Sequence, residues 1–117
     1  MTPVPVTLAW MDLNEPGPSP ALNQSELARA ARFVHAEHRA RFSSGRAQLR
    51  AFLGEALDLA PEDLRLEEDT HGKPFLPEAP DLHFNLSHSQ AWALAARSTV
   101  PLGVDIEVER PLPEDVA

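Results

Sequence analysis

Asp105 and Glu107 stand two positions apart in the run Gly103-Val104-Asp105-Ile106-Glu107-Val108. On an extended strand, side chains at i and i+2 share a face. The two carboxylates therefore converge while Val104 and Ile106 hold the strand from behind. An oxygen-rich pair of this kind suits a hard divalent cation such as Mg2+, completed by water and substrate phosphates. A half-solvated acidic edge strand gives the same pattern, and Glu109 continues the face under either reading. Upstream, Phe84-Asn85-Leu86-Ser87-His88-Ser89 brings hydroxyl and imidazole groups to a strand end, where they bind phosphate or satisfy a local turn. Ser87 and His88 are sequence neighbours and so face opposite ways, which rules them out as a nucleophile–base pair. Gly72-Lys73-Pro74 sets the only lysine in a stiff turn, as a phosphate contact or a solubilising side chain. Arg41 and Arg46 flank Ser43-Ser44-Gly45, and their guanidinium forks match phosphate geometry. His35 and His38 share a helical face, but no third ligand follows at a zinc-like spacing.

These groups need elements to hold them. Val4, Val6 and Leu8 alternate within an apolar run over 4–13, which predicts a strand. Pro16-Gly17-Pro18-Ser19-Pro20 interrupts regular structure. Asn23 and Glu26 have the spacing of a capping box, and Leu27, Ala30, Ala31 and Val34 follow at helical intervals. Ser43-Ser44-Gly45 reads as a bend or a new cap. Leu49, Phe52, Leu53, Ala56 and Leu57 then trace an amphipathic helix, and Leu49, Phe52 and Leu53 are assigned to the core. Leu64 and Leu66 suggest a short strand, Gly72-Lys73-Pro74 a turn. A strand over 83–89 has Phe84 and Leu86 on one face and Asn85 and Ser87 on the other. Residues 91–97 form its hairpin partner and 103–108 a further strand. Helices first and strands afterwards, with no βαβ alternation, favour an α+β fold: helices packed on a small, mostly antiparallel sheet.

Composition narrows the class. At 117 residues the chain is one domain's worth, able to bury about two-thirds of its unfolded surface. The hydrophobic fraction of 43% and charged fraction of 24% are those of a globular protein. There is no cysteine, so disulfides, thiolate metal sites and cysteine nucleophiles are excluded. No apolar run approaches the roughly 18 residues of a membrane span, and no basic segment precedes an apolar stretch near Met1. The expectation is a cytoplasmic chain without a membrane partner. A net charge of −8 disfavours nucleic acid. Against that background residues 29–50 hold six arginines and one acid. This basic stretch is either a solvated helix face or the place of one anionic partner.

The order of these motifs is more specific than any one of them. Arg41…Gly45-Arg46…Leu49-Arg50, Gly72-Lys73-Pro74, Phe84-Asn85-Leu86-Ser87-His88-Ser89 and Gly103-Val104-Asp105-Ile106-Glu107 follow one another. In that order they resemble the N-terminal half of the two-domain, surfactin-synthetase-activating type of 4′-phosphopantetheinyl transferase, from about residue 25 onward. The resemblance implies transfer of the phosphopantetheine arm of coenzyme A to a serine of an acyl or peptidyl carrier protein, with adenosine 3′,5′-bisphosphate released. It implies Asp105 and Glu107 as Mg2+ ligands. It also implies Arg41, Lys73, Ser87 and His88 as coenzyme A contacts, with Arg41 and His88 near the 3′-phosphate. Such chemistry needs positioning and charge neutralisation rather than a covalent nucleophile.

Two features depart from the family pattern. Where some members carry phosphate-binding cations ahead of the Arg41 position, this chain reads Ser25-Glu26-Leu27-Ala28. The Lys-Glu motif of the family's second half is absent, since Lys73 is the only lysine. Residues 1–117 are therefore expected to be the N-terminal half alone, a fragment or short form that binds coenzyme A poorly and transfers nothing by itself. The face that would meet the other half is expected to be apolar and prone to self-association. Two rivals are a non-enzymatic module that binds coenzyme A or a carrier protein, and a small metal-dependent phosphohydrolase using Asp105, Glu107 and Glu109.

Overall fold

The computed structural model describes residues 6–17 and 22–100. The predicted strand over 103–108, and with it Asp105, Glu107 and Glu109, lies outside the described residues. Strand β1 (Thr7–Asp12) is followed by helices α1 (Gln24–Ala31) and α2 (Ala36–Leu57). A 3-10 turn at Pro61–Asp63 leads to a minimal hairpin of β2 (Glu67–Glu68) and β3 (Pro74–Phe75), then to strands β4 (His83–Ser89) and β5 (Trp92–Ser98). The larger sheet has the order β1-β5-β4 and is antiparallel throughout. The fold is α+β, two helices on a small antiparallel sheet, as the sequence predicts. No helix is long and apolar enough to cross a membrane among the described residues.

Alternation along the strands decides what each face carries. Met11, Ala93 and His88 share one row across the sheet, and Ala9, Ala95 and Leu86 the next. This face takes α2: Leu49 and Leu53 are fully buried, with Phe52 beside them, against Met11, Ala93 and Ala95. The small alanines of central strand β5 let the helix approach closely. Burying a leucine side chain fully contributes about 1.5–3 kcal/mol, so Leu49 and Leu53 together contribute about 3–6 kcal/mol. Leu64, Leu66 and Leu76 close the core from the loops. Arg97 sits over the Phe52 ring at 4.5 Å and donates to the Phe52 carbonyl. The opposite face is open, with Leu8, Trp10 and Trp92 exposed and the two indoles edge to face at 6.5 Å.

The capping box forms as expected, Asn23 Oδ1 accepting from the Glu26 amide and Glu26 Oε1 accepting from the Asn23 amide. The expected apolar face of α1 does not. Leu27 and Val34 are exposed, and the buried positions are Ala30 and Glu26. Glu26 is drawn inward because Arg50 Nε lies 2.8 Å from its Oε1. Arg50 also donates to the carbonyls of Pro61 and Leu64.

The expected bend at Ser43-Ser44-Gly45 is also absent, since α2 runs through it unbroken. Ser44 Oγ donates instead to the Glu15 carbonyl, and a Cβ on Gly45 would lie 3.1 Å from Leu13 Cδ2. The small residues admit the loop after β1. The break falls earlier, between Ala31 and Ala36, where Arg39 Nη1 donates to the Phe33 carbonyl at 2.7 Å. Leu64 and Leu66 are buried as expected but precede the strand, which is confined to Glu67–Glu68.

Candidate functional site

Continuity of α2 through residue 45 produces a stripe absent from a broken helix. His38, Arg41, Phe42, Gly45 and Arg46 fall on one side at helical spacing, and all five line a cavity of about 700 Å³. Arg29 and Phe33 extend its wall from α1 and the junction, Gly72 and Lys73 come from the hairpin tip, and Phe84, Leu86 and His88 close it from β4.

Three of the four expected coenzyme A contacts, Arg41, Lys73 and His88, thus meet in one cavity although they come from a helix, a loop and a strand. Ser87 is not among the lining residues. It alternates with Leu86 and His88 and shares its row with Leu94 and Trp10, toward the open face of the sheet. Arg46 lines the cavity but is also committed elsewhere, 2.9 Å from Glu68 and 3.6 Å from Glu26, with only 7% of its side chain exposed. Arg50 is structural. The arginine-rich stretch is accordingly neither a plain solvated face nor a single anion grip: part of it is buried in ion pairs.

Arginines 29, 41 and 46 and Lys73 stand in the lining with His38 and His88, and no aspartate or glutamate lines the cavity among the described residues. On a chain of net charge −8 this concentrates positive potential in one place. Arg41 is braced by Glu37 at 3.2 Å and Asn14 at 3.3 Å. The Lys73 ammonium has no hydrogen bond or ion pair among the described residues. Its loop is fixed by Asp69, whose Oδ1 accepts from the Lys73 amide at 2.9 Å and from the His71 amide at 2.8 Å. Those two bonds hold the Asp69 carboxyl below the usual aspartate value. Aromatic surface lies beside the cations: Phe33 and Phe42 are 5.5 Å apart, and the Arg29 and Arg46 guanidinium carbons lie 5.1 and 5.0 Å from the Phe42 ring centre. Cations for several phosphates beside aromatic walls suit a phosphorylated ligand with a flat or apolar part.

No group of three or more potential metal ligands occurs among the described residues, and His35 and His38 pack only edge to face on one another. Arg29, Phe33, His38 and Phe42 were not legible as site residues. For His38 and Phe42 the signal, the i, i+4 pairs His38–Phe42 and Phe42–Arg46, is visible only once one helix is drawn through residue 45. Arg29 at the end of α1 and Phe33 in the break between the helices have no such spacing signal.

A family described as "4′-phosphopantetheinyl transferase, N-terminal" matches residues 19–100. The 4′-phosphopantetheinyl transferase HetI of Nostoc sp. is 45% identical over 94 residues, 77% of this chain and 40% of the relative. The 4′-phosphopantetheinyl transferase Sfp of Bacillus subtilis is 35% identical over 89 residues, 76% of this chain and 40% of the relative. A phosphopantetheinyl transferase of Thraustochytrium sp. is 35% identical over 88 residues, covering 73% and 31%. The chain spans well under half the length of these relatives.

Proposed function

From the premise that this chain belongs to the 4′-phosphopantetheinyl transferase family, we propose that residues 1–117 supply the N-terminal half of a coenzyme A site. The reaction served is attack by a serine hydroxyl of an acyl or peptidyl carrier protein on the phosphorus that bears the phosphopantetheine arm. The pyrophosphate bond breaks, adenosine 3′,5′-bisphosphate leaves, and the serine proton passes to solvent or a base. The observation that carries the reading is the cavity itself, where arginines from α1 and α2, Lys73 of the hairpin and His88 of β4 converge with no aspartate or glutamate in the lining among the described residues. Arg41, Lys73 and His88 contact the phosphates, and Phe33 and Phe42 offer surface to the apolar parts. On this reading the chain acts in the cytoplasm.

Mg2+ fits the hard-oxygen donor set that Asp105 and Glu107 provide. Bound to them, it would neutralise pyrophosphate charge. The family's remaining length would supply the other wall of the site, so the 117-residue chain alone binds weakly and does not transfer. On the opposite side of the sheet from the cavity, the open face with Leu8, Trp10 and Trp92 exposed is the surface through which two copies associate.

Titration of the 15N-labelled chain with coenzyme A tests the reading. Shifts confined to the cavity residues, with binding in the high-micromolar range or weaker, support it. Unchanged spectra at saturating coenzyme A, or efficient loading of a carrier protein by the chain alone, would refute the corresponding half of the proposal.

A further inference from the structure

The hairpin between β2 and β3 reaches the cavity with Gly72 and Lys73, yet the two carboxylates at its start, Glu68 and Asp69, are not among the lining residues. Each holds part of the lining from outside. Glu68 Oε2 accepts from Arg46 Nη2 at 2.9 Å and from Arg29 Nη1, so one oxygen joins guanidinium groups from two helices. Asp69 Oδ1 accepts the backbone amides of His71 and Lys73, and the Asp69 amide donates to the Lys73 carbonyl at 2.9 Å. Gly72 adopts a φ of +82°, and its missing Cβ would come within 4 Å of the Arg29 guanidinium.

We propose that the adjacent carboxylates Glu68 and Asp69 are positioning residues, which set Arg29 and Arg46 on one side and Lys73 on the other at a fixed separation in the phosphate-binding wall. The proposal rests on the coenzyme A reading above. Two guanidinium groups beside one phenyl ring repel each other, and a shared carboxylate oxygen lets them stand together. Glu68 engages one nitrogen of Arg29, which leaves the rest of the fork for a ligand. Arginine and lysine lose rotamer freedom when they grip an anion, and fixing the fork and the lysine backbone beforehand lowers that cost. A carboxylate competing with the ligand would stand in the cavity; Glu68 stands behind the groups it holds.

The test measures binding of adenosine 3′,5′-bisphosphate and of adenosine to the 117-residue chain by NMR titration, in wild type and in Glu68→Ala, Glu68→Gln, Asp69→Ala and Asp69→Asn. The amide variants keep an acceptor oxygen in place. The expected result is a loss of about 10-fold or more for the bisphosphate in each alanine variant, since charge-assisted contacts depend on placement. Asp69→Asn stays within about 3-fold of wild type, because an amide oxygen still accepts the two backbone amides. Glu68→Gln loses about 3- to 10-fold, because it keeps the acceptor but not the charge that holds two guanidinium groups together. Adenosine binding is unchanged in all four. A merely structural role would weaken both ligands together. Unaltered bisphosphate binding in the alanine variants overturns the inference while leaving the coenzyme A reading in place. Tighter binding in Glu68→Ala also overturns it, because Glu68 would then be a competitor. If an alanine variant does not fold, its amide variant decides: a loss as large as about 10-fold in Asp69→Asn, or no loss in Glu68→Gln, overturns the inference. Absence of bisphosphate binding in the wild type overturns both.

Discussion

Glu26 and Arg50 close a buried ion pair, 2.8 Å from Oε1 to Nε, that ties the first turn of α1 to the middle of α2. Only 4% and 1% of the two side chains are exposed. The same carboxylate caps its own helix through the Asn23 amide at 2.9 Å. Two jobs on one side chain make this contact the hinge pin of the α1–α2 arrangement, and with it the place of Arg29 and Phe33 in the cavity wall.

Removing one partner leaves the other charged and buried, which costs about 3–5 kcal/mol. Glu26→Ala should therefore destabilise the chain by that order, measured as the shift in urea midpoint at constant slope. Arg50→Ala should cost a similar amount. A loss below about 1 kcal/mol for both would place this pair in the class of surface contacts.

In the cavity, Lys73→Ala and Arg41→Ala should each weaken coenzyme A binding by about 10-fold or more, the worth of a charge-assisted hydrogen bond. Lys73 is exposed and Arg41 is braced by Glu37 and Asn14 alone among the described residues, so the melting temperature should move little. Ser87→Ala, outside the cavity lining, should change binding less than either. Isothermal or NMR titration reads all three.

The hairpin tip should respond to acid through Asp69. Its folded carboxyl lies below the usual value, because the Lys73 and His71 amides donate to the charged form. A depressed folded value stabilises the hairpin above the ordinary aspartate value of about 3.9, and that contribution fades as the pH falls through the lower folded value. The Lys73 and His71 amide resonances should titrate with a midpoint below about 3.9 in the wild type and lose this transition in Asp69→Asn.

On the open face of the sheet, Trp10→Ser combined with Trp92→Ser should shift the isolated chain toward monomer. Sedimentation velocity across a concentration series is the measurement. A wild-type chain that stays monomeric at high concentration would count against self-association there.

Much of this was legible in local pattern. The capping box at Asn23 and Glu26, the 83–89 strand with its hairpin partner and the turn at Lys73 each depend on residues close in sequence, where spacing and turn chemistry decide. The convergence of Arg41, Lys73 and His88 was legible as motif order. What stayed hidden depended on distant partners. Glu26 reads as a solvent-facing cap until Arg50 is beside it. Ser43-Ser44-Gly45 has the composition of a bend, but in this fold its small side chains admit Leu13 and the Glu15 carbonyl. That misreading concealed the stripe from His38 to Arg46, and with it Phe42 and the cation pair over its ring. Ser87 entered the expected coenzyme A contacts through the family resemblance, although strand alternation already turns it away from His88, and it does not line the cavity.

Strand β5 carries a consequence for how the chain comes to be folded. It is the central strand of the described sheet, and β1, the first described element, pairs along its length from Thr7 opposite Arg97 to Asp12 opposite Trp92. Within this chain β1 is made well before β5 and must wait for it, with Ala9 and Met11 uncovered and no β5 to pair with. Closing so long a loop is slow, and an unpaired apolar strand in the interval invites pairing with other chains. Production of this protein should then be limited by solubility during synthesis, and slower translation or a chaperone at the exit should raise the folded yield more than any substitution in the cavity.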